Sequence, residues 1–211
     1  MANIALFHSV LGMRPGMLDA AERLRDQGHD VLTVDQYEGR VFDDYTQADA
    51  FAQQVGFPEH MSRAAAAVQT LPAGFLCVGF SNGGGMAEYV ATQRPVSGVV
   101  LCSGALPLQM IGVDTWPAGV AAQIHYTTGD PFRQEGWAES VAESATGACA
   151  QVESFDYPGD GHLFTDPSMP EEYDQDSTEL LWQRIYAFCQ QTADRRPNRR
   201  FHVSQRADAA R

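Results

Sequence analysis

Between Gly74 and Pro95 the chain reads GFLCVGFSNGGGMAEYVATQRP, and this stretch restricts the fold more than any other. Phe75, Leu76, Val78 and Phe80 form a short apolar run without polar alternation, the pattern of a strand buried on both faces in a parallel sheet. Met86, Tyr89 and Val90 then recur at helical spacing, and Pro95 stops the helix. Ser81 stands at the junction, in Gly79-Phe80-Ser81-Asn82-Gly83. A strand that turns sharply into a helix forces its apex residue into a strained conformation. The residues two positions away on either side must then be tiny to avoid the strand and helix backbones. The turn exposes the apex hydroxyl, and the helix aims its first amides at the surroundings, where negative charge is favoured. A chain with 19 Gly also makes glycine-rich turns that carry no chemistry, so the reading depends on what the other strand ends supply.

Strand-like and helical patterns alternate along the rest of the chain. Strands are expected over 3–9, 30–35, 97–103, 121–128 and 151–157, and helices over 16–27, 44–55, 59–70, 134–145 and 177–190. This order predicts an α/β fold: a mostly parallel central sheet with helices on both faces and the ligand site beyond the carboxyl ends of the strands. Residues 1–192 read as one domain, followed by a basic, unpatterned tail over 193–211.

Three strand ends carry residues with complementary proton chemistry. Ser81 ends one, Asp130 ends another in QIHYTTGDPF, and His162 follows a third in FDYPGDGHLFTD. A serine hydroxyl becomes a useful nucleophile only when a base takes its proton, which imidazole does near neutral pH. A carboxylate on the far ring nitrogen fixes the tautomer and stabilises the imidazolium. The chain order Ser, Asp, His is the order used on α/β-hydrolase sheets. Other histidines fit less well: His125 lies mid-strand, His29 in a turn, His60 in a helix and His202 in the tail, while His8 ends the first strand but precedes the serine. Asp156, Asp160 and Asp166 share the His162 region and do not come from a separate strand end; Asp166 reads as a rim residue. An oxyanion hole needs two backbone N–H donors, expected from Asn82 and from Val10 in the turn HSVLGMRPG. Tyr37, Glu38 and Arg40 sit at one more strand end, either as a solvated turn or as part of a substrate pocket.

Composition excludes several classes. The net charge is −13, and no lysine occurs, which removes Schiff-base lysine chemistry and a P-loop. An acidic chain is a poor nucleic-acid ligand; the exception is the tail, which holds six of the arginines and reads as solvated. No apolar run is long enough to span a membrane. The N-terminus reads as a strand rather than a signal peptide. The four cysteines show no CxxC spacing, so a reducing, cytoplasmic location is expected.

HSVLGMRPG, VDQYEGRVFDD, the Ser81 elbow, TTGDPF and YPGDGHLFTD together resemble the dienelactone hydrolase family of α/β-hydrolases, over nearly everything but the tail. The resemblance implies a compact hydrolase with no lid domain, acting on small esters or lactones without metal or cofactor; a monomer or homodimer with no nucleic-acid and no membrane partner is expected. Ser9, Leu11, Tyr37, Glu38 and Arg40 are the candidate pocket residues. Three positions depart from the family pattern. Ser81 replaces a cysteine nucleophile, Ser9 stands where a glutamate assists it, and Asp166 stands where an arginine binds the substrate carboxylate. The expected function is a serine hydrolase of small carboxylic esters or lactones, acting through Ser81, Asp130 and His162 with dienelactone itself a poor candidate. The alternatives are an inactive binding protein on the same fold, acyl transfer by the same three residues, and a phosphate cradle at SNGGG, which lacks GxGxxG.

Overall fold

A computed structural model describes residues 1–194, with side chains through Thr192. The strands are β1 (Asn3–Phe7), β2 (Asp30–Val34), β3 (Phe75–Phe80), β4 (Val96–Cys102), β5 (Ala121–Thr127) and β6 (Val152–Tyr157). The helices are α1 (Pro15–Asp26), α2 (Tyr45–Val55), α3 (Phe57–Ala67), α4 (Asn82–Gln93), α5 (Trp137–Gly147) and α6 (Gln175–Asp194). The strands form one sheet in the order β2-β1-β3-β4-β5-β6, and every neighbouring pair is parallel.

The apolar runs are continuous because both faces of the sheet are covered. Leu76, Val78 and Phe80 of β3 turn toward Leu24 of α1 and Leu181, Trp182 and Ile185 of α6. Phe75 and Cys77 turn the other way, toward Ala64 of α3, Met86 and Val90 of α4, and Val141 of α5. Successive residues of one strand thus serve two cores, which fixes the register, since a one-residue slip would exchange them. Buried Cys77 and Cys102 act as small apolar groups within these layers. No helix among the described residues is long and apolar enough to cross a membrane.

Local backbone chemistry moves several boundaries from those expected. Gly56 at φ 87° separates α2 from α3, whose first turn contains Pro58. Gly136 at φ 79° delays the start of α5 to Trp137. A short 3₁₀ turn at Leu108–Ile111, closed by left-handed Gly112, was not anticipated. The last helix runs past 190 to Asp194, carried on by buried Thr192, whose hydroxyl donates to the Phe188 carbonyl at 2.9 Å. The basic tail expected beyond it lies, from residue 195 on, outside the described residues. Between β2 and β3 the chain places the two helices expected there, and α2 with the start of α3 overhangs the carboxyl ends of the strands, where they wall a cavity.

Candidate active site

Ser81 has φ 51° and ψ −119°, a region that side chains rarely occupy and that surrounding structure must enforce. Its N–H donates to the Cys102 carbonyl at 2.7 Å, and its own carbonyl accepts from Gly84 N–H at 2.8 Å. The flanking glycines are sterically required. A Cβ on Gly79 would overlap the Gly83 carbonyl, and one on Gly83 would overlap the Phe7 and His8 carbonyls of β1 and its turn. The sharp strand-to-helix turn read from the sequence is the turn observed.

The loops after β5 and β6 bring the other two residues to Ser81. These strands are neighbours, and their loops are tied by Gly129 N–H to the Gly159 carbonyl at 2.8 Å and by the Thr127 hydroxyl to the Gly161 carbonyl at 2.9 Å. His162 Nε2 lies 2.7 Å from Ser81 Oγ. Its Nδ1 lies 2.9 and 2.8 Å from the two oxygens of Asp130, a carboxyl group fully enclosed at the side chain. Asp130 Oδ1 also accepts the Phe132 N–H at 2.8 Å. A carboxylate only accepts, so Nδ1 carries the proton and the Nε2 lone pair faces the serine hydroxyl. Such an arrangement can withdraw a proton from Ser81 and hold it while charge develops elsewhere.

Beside Ser81 and His162 opens a cavity of about 630 Å³, and Val10 and Asn82 also line it. Among the described residues neither the Val10 nor the Asn82 backbone N–H donates to a turn or loop carbonyl. Tyr45, Ala52, Phe57 and His60 of α2 and α3 form one wall, and Leu106, Met110, Phe132 and Trp137 form much of the rest. Asp49 also lines the cavity, and among the described residues no arginine does. Among the described residues no group of three or more His, Cys, Asp or Glu is arranged to hold a metal ion.

A family model for the dienelactone hydrolase family matches residues 2–193. The chain belongs to the dienelactone hydrolase family. Family membership supports a hydrolase function. No curated protein matches the sequence. Among solved structures, a dienelactone hydrolase-like promiscuous phosphotriesterase from metagenomic libraries superposes with a TM-score of 0.76 at 20% identity, over 91% of this chain and 87% of that one. An α/β hydrolase from a Medee basin deep-sea metagenome gives 0.69 at 15% identity, over 92% and 85%. A dienelactone hydrolase from Anabaena variabilis gives 0.65 at 16% identity, over 90% and 86%. The fold is accordingly that of an α/β hydrolase.

In this dienelactone hydrolase family member the expected pocket residues stand elsewhere. None of Ser9, Leu11, Tyr37, Glu38 and Arg40 lines the cavity. Ser9 is buried, and its hydroxyl accepts the Leu11 N–H at 3.2 Å. Leu11 is fully buried against Val10, Ala48 and Leu163. Tyr37 is buried behind α2 and α3, 5.1 Å from the Phe51 ring and 5.2 Å from His60. Exposed Glu38 faces Arg63 at 3.5 Å, and the Arg40 guanidinium lies over Phe51 at 5.0 Å. The physical reason is that α2 and α3 pack over this turn and take its place as cavity wall. Asp166 is not at the rim either: it is buried beside Arg14 and accepts Ser168 N–H at 2.8 Å. His8 is enclosed, donating from Nδ1 to the Ser9 carbonyl at 2.7 Å and accepting Gln36 N–H at 3.1 Å; burial lowers its pKa. His125 is packed between Gln123 and Tyr157, with burial and the nearby Arg184 lowering its pKa to about 3. Sequence reasoning missed Tyr45, His60, Phe132 and Trp137. Only Phe132 carried a signal, two residues past Asp130.

Proposed function

We propose that this family member is a serine hydrolase that cleaves small carboxylic esters or lactones through an acyl-enzyme. Ser81 is the nucleophile, His162 the base and Asp130 the carboxylate that orients it. The unbroken contact from Ser81 Oγ through His162 to Asp130 supports the reading. As Oγ attacks the carbonyl carbon, His162 Nε2 takes the hydroxyl proton, and the carbonyl oxygen becomes an oxyanion facing the Val10 and Asn82 N–H groups. Collapse expels the alcohol, which leaves with the proton from His162, and the acyl group stays on Ser81. His162 next takes a proton from water, the hydroxide attacks the acyl carbon, and Ser81 leaves as its hydroxyl regains that proton. The free acid is released.

The reading calls for no metal or cofactor, for neither nucleic acid nor membrane, and for a monomer or homodimer with a small-molecule substrate. A cavity walled by aromatic and aliphatic groups, with no arginine among its described lining residues, favours neutral esters and lactones over the carboxylate-bearing dienelactone. The test is labelling by a fluorophosphonate, which should modify the parent and not Ser81→Ala. The same variant should lower kcat on an activated short-chain ester at least ~10³-fold, because triad members act as a unit. Activity of Ser81→Ala within tenfold of the parent would place the chemistry elsewhere, and an unlabelled parent would favour a binding protein on a hydrolase fold.

A further inference from the structure

Ten residues after His162, Glu172 reaches back to the loop that carries the imidazole. Its Oε2 accepts the Leu163 N–H at 2.6 Å. Its two oxygens also face the Tyr45 hydroxyl at 2.9 and 3.1 Å. Glu172 is itself fixed, since its N–H donates to the Met169 carbonyl at 2.9 Å. Its carbonyl packs so closely on Gly161 that a Cβ there would overlap it. One carboxylate therefore joins three separate parts of the chain: the residue following His162, the first residue of α2, and the turn before α6.

What Glu172 holds borders the imidazole on two sides. The Tyr45 ring lies 6.2 Å from His162 and 5.0 Å from Phe132. The Phe132 ring lies 4.7 Å from His162, and its backbone N–H is held by Asp130. Tyr45, Phe132 and His162 all line the cavity. Burial, with the Glu172 carboxylate beside it, pushes the Tyr45 hydroxyl pKa up, so it remains a donor. Hydrogen bonds to a carboxylate are shorter and stronger than neutral ones, and removing the acceptor strands the donors it served.

We infer that Glu172 is a positioning residue for His162, holding the base loop and the Tyr45–Phe132 aromatic wall in one geometry relative to Ser81; the inference rests on the hydrolase reading above. Glu172 touches neither the serine hydroxyl nor the substrate space at its reacting end, so its action passes through Leu163 and Tyr45. A small displacement of the base from the nucleophile is enough to matter, as shifts near 1 Å cost on the order of 10²-fold in rate.

The experiment measures kcat and KM per fluorophosphonate-titrated site, together with thermal unfolding. Glu172→Ala should lower kcat per titrated site by about 10–100-fold, with KM changed less than about threefold. Glu172→Gln, which keeps an acceptor oxygen, should recover kcat to within about fivefold of the parent. A structural role alone would lower the melting temperature and the fraction of titratable protein, yet leave kcat per site unchanged, and that result overturns the inference. Equal impairment of Glu172→Gln and Glu172→Ala overturns it as well. If Glu172→Ala does not fold, Glu172→Asp retracts the carboxylate by one methylene at constant charge. It should then lower kcat per site at least about fivefold, and parent-level kcat refutes the proposal. An unlabelled, inactive parent refutes the hydrolase reading and this inference with it, whereas a labelled parent with an unaffected Glu172→Ala refutes the inference alone.

Discussion

Glu88 is a carboxyl group with no exposed surface, on the helix that follows Ser81. Its oxygens face the Leu106 N–H at 3.2 Å each, and Leu106 lines the cavity. Burial pushes its pKa well above the usual value near 4.5, and the Leu106 hydrogen bond opposes this only in part. The folded protein therefore keeps a proton that the unfolded chain has released. With more protons bound in the folded state, stability falls as pH rises from about 4.5 toward the raised folded value, by about 1.4 kcal/mol per pH unit for one proton. Glu88→Gln keeps an acceptor for Leu106 and cannot titrate. Its extra amide N–H groups add a destabilising offset of about 1–3 kcal/mol if unpaired, but that offset does not depend on pH. Nearby Tyr126, whose pKa burial raises to about 12, stays protonated throughout. Thermal unfolding of parent and variant from pH 5 to 8 isolates the effect, because all other groups cancel in the difference. At about 2–4 °C per kcal/mol for a chain of this size, the melting temperature of Glu88→Gln minus that of the parent should rise by about 3–6 °C per pH unit. The rise should stop only where the folded carboxyl itself ionises. Parallel curves across the whole range would refute the buried, protonated carboxyl.

Asp130→Asn should preserve the fold and lower kcat by about 10⁴-fold, since the amide favours the wrong imidazole tautomer. Asp166→Asn should instead lower the melting temperature, by weakening the contact with buried Arg14, while kcat stays within about tenfold; the reverse pattern would mean that the acid is misassigned. Neutral esters and lactones should be hydrolysed with at least ~10-fold higher kcat/KM than carboxylate-bearing analogues of equal size, a gap of about 1.4 kcal/mol. Added salt should narrow any part of that gap due to surface repulsion, and a preference for the carboxylate would reveal a cation missing from the cavity as described.

The sheet and the elbow were legible because the constraints on them are local. A strand enclosed on both faces must be apolar throughout, so Phe75–Phe80 announces itself, and Gly79 and Gly83 are imposed by backbones that approach within a Cβ radius. Asp130 and His162 were legible as strand-end residues in short polar blocks, and adjacency of β5 and β6 brings them together. The cavity wall was not legible. Ala52, Phe57 and His60 follow the same helical periodicity as any core-facing residue, and nothing in their spacing says that the space they face is empty. Tyr37 and Arg40 misled for the opposite reason. An aromatic and a charge at a strand end look like ligand contacts until two helices are laid over them. The partner of Asp166 was equally hidden, because the pairing joins the His162 loop to the turn before α1 and leaves no trace in local sequence.

That pairing bears on the chemistry of the site. The family resemblance places a substrate-binding arginine four residues past the base, where this chain has Asp166. The substitution does more than delete a cation. Asp166 packs directly against Gly16, where a Cβ would overlap its carboxyl group, and thus brings negative charge to the first turn of α1. That helix has neither an acidic residue in its first turn nor a side-chain cap of its own, so the carboxylate complements the positive end of the helix dipole. Arg14, the residue preceding the helix, lies 3.6 Å away through Nε and is further held by the Phe42 carbonyl at 2.8 Å and by Asp43. Its charge is thus committed to protein partners rather than to a ligand. Under the proposed mechanism the cavity would stabilise the oxyanion with uncharged dipoles, the Val10 and Asn82 N–H groups and the start of α4. Such dipoles favour charge that appears on a carbonyl oxygen during reaction more than charge already resident on the substrate, because a free carboxylate must first give up its hydration to enter. On the proposed reading, an internal ion pair in place of a ligand-facing arginine would suit a site that stabilises a transient anion rather than one that binds a resident anion, in keeping with a serine nucleophile that needs His162 to remove its proton.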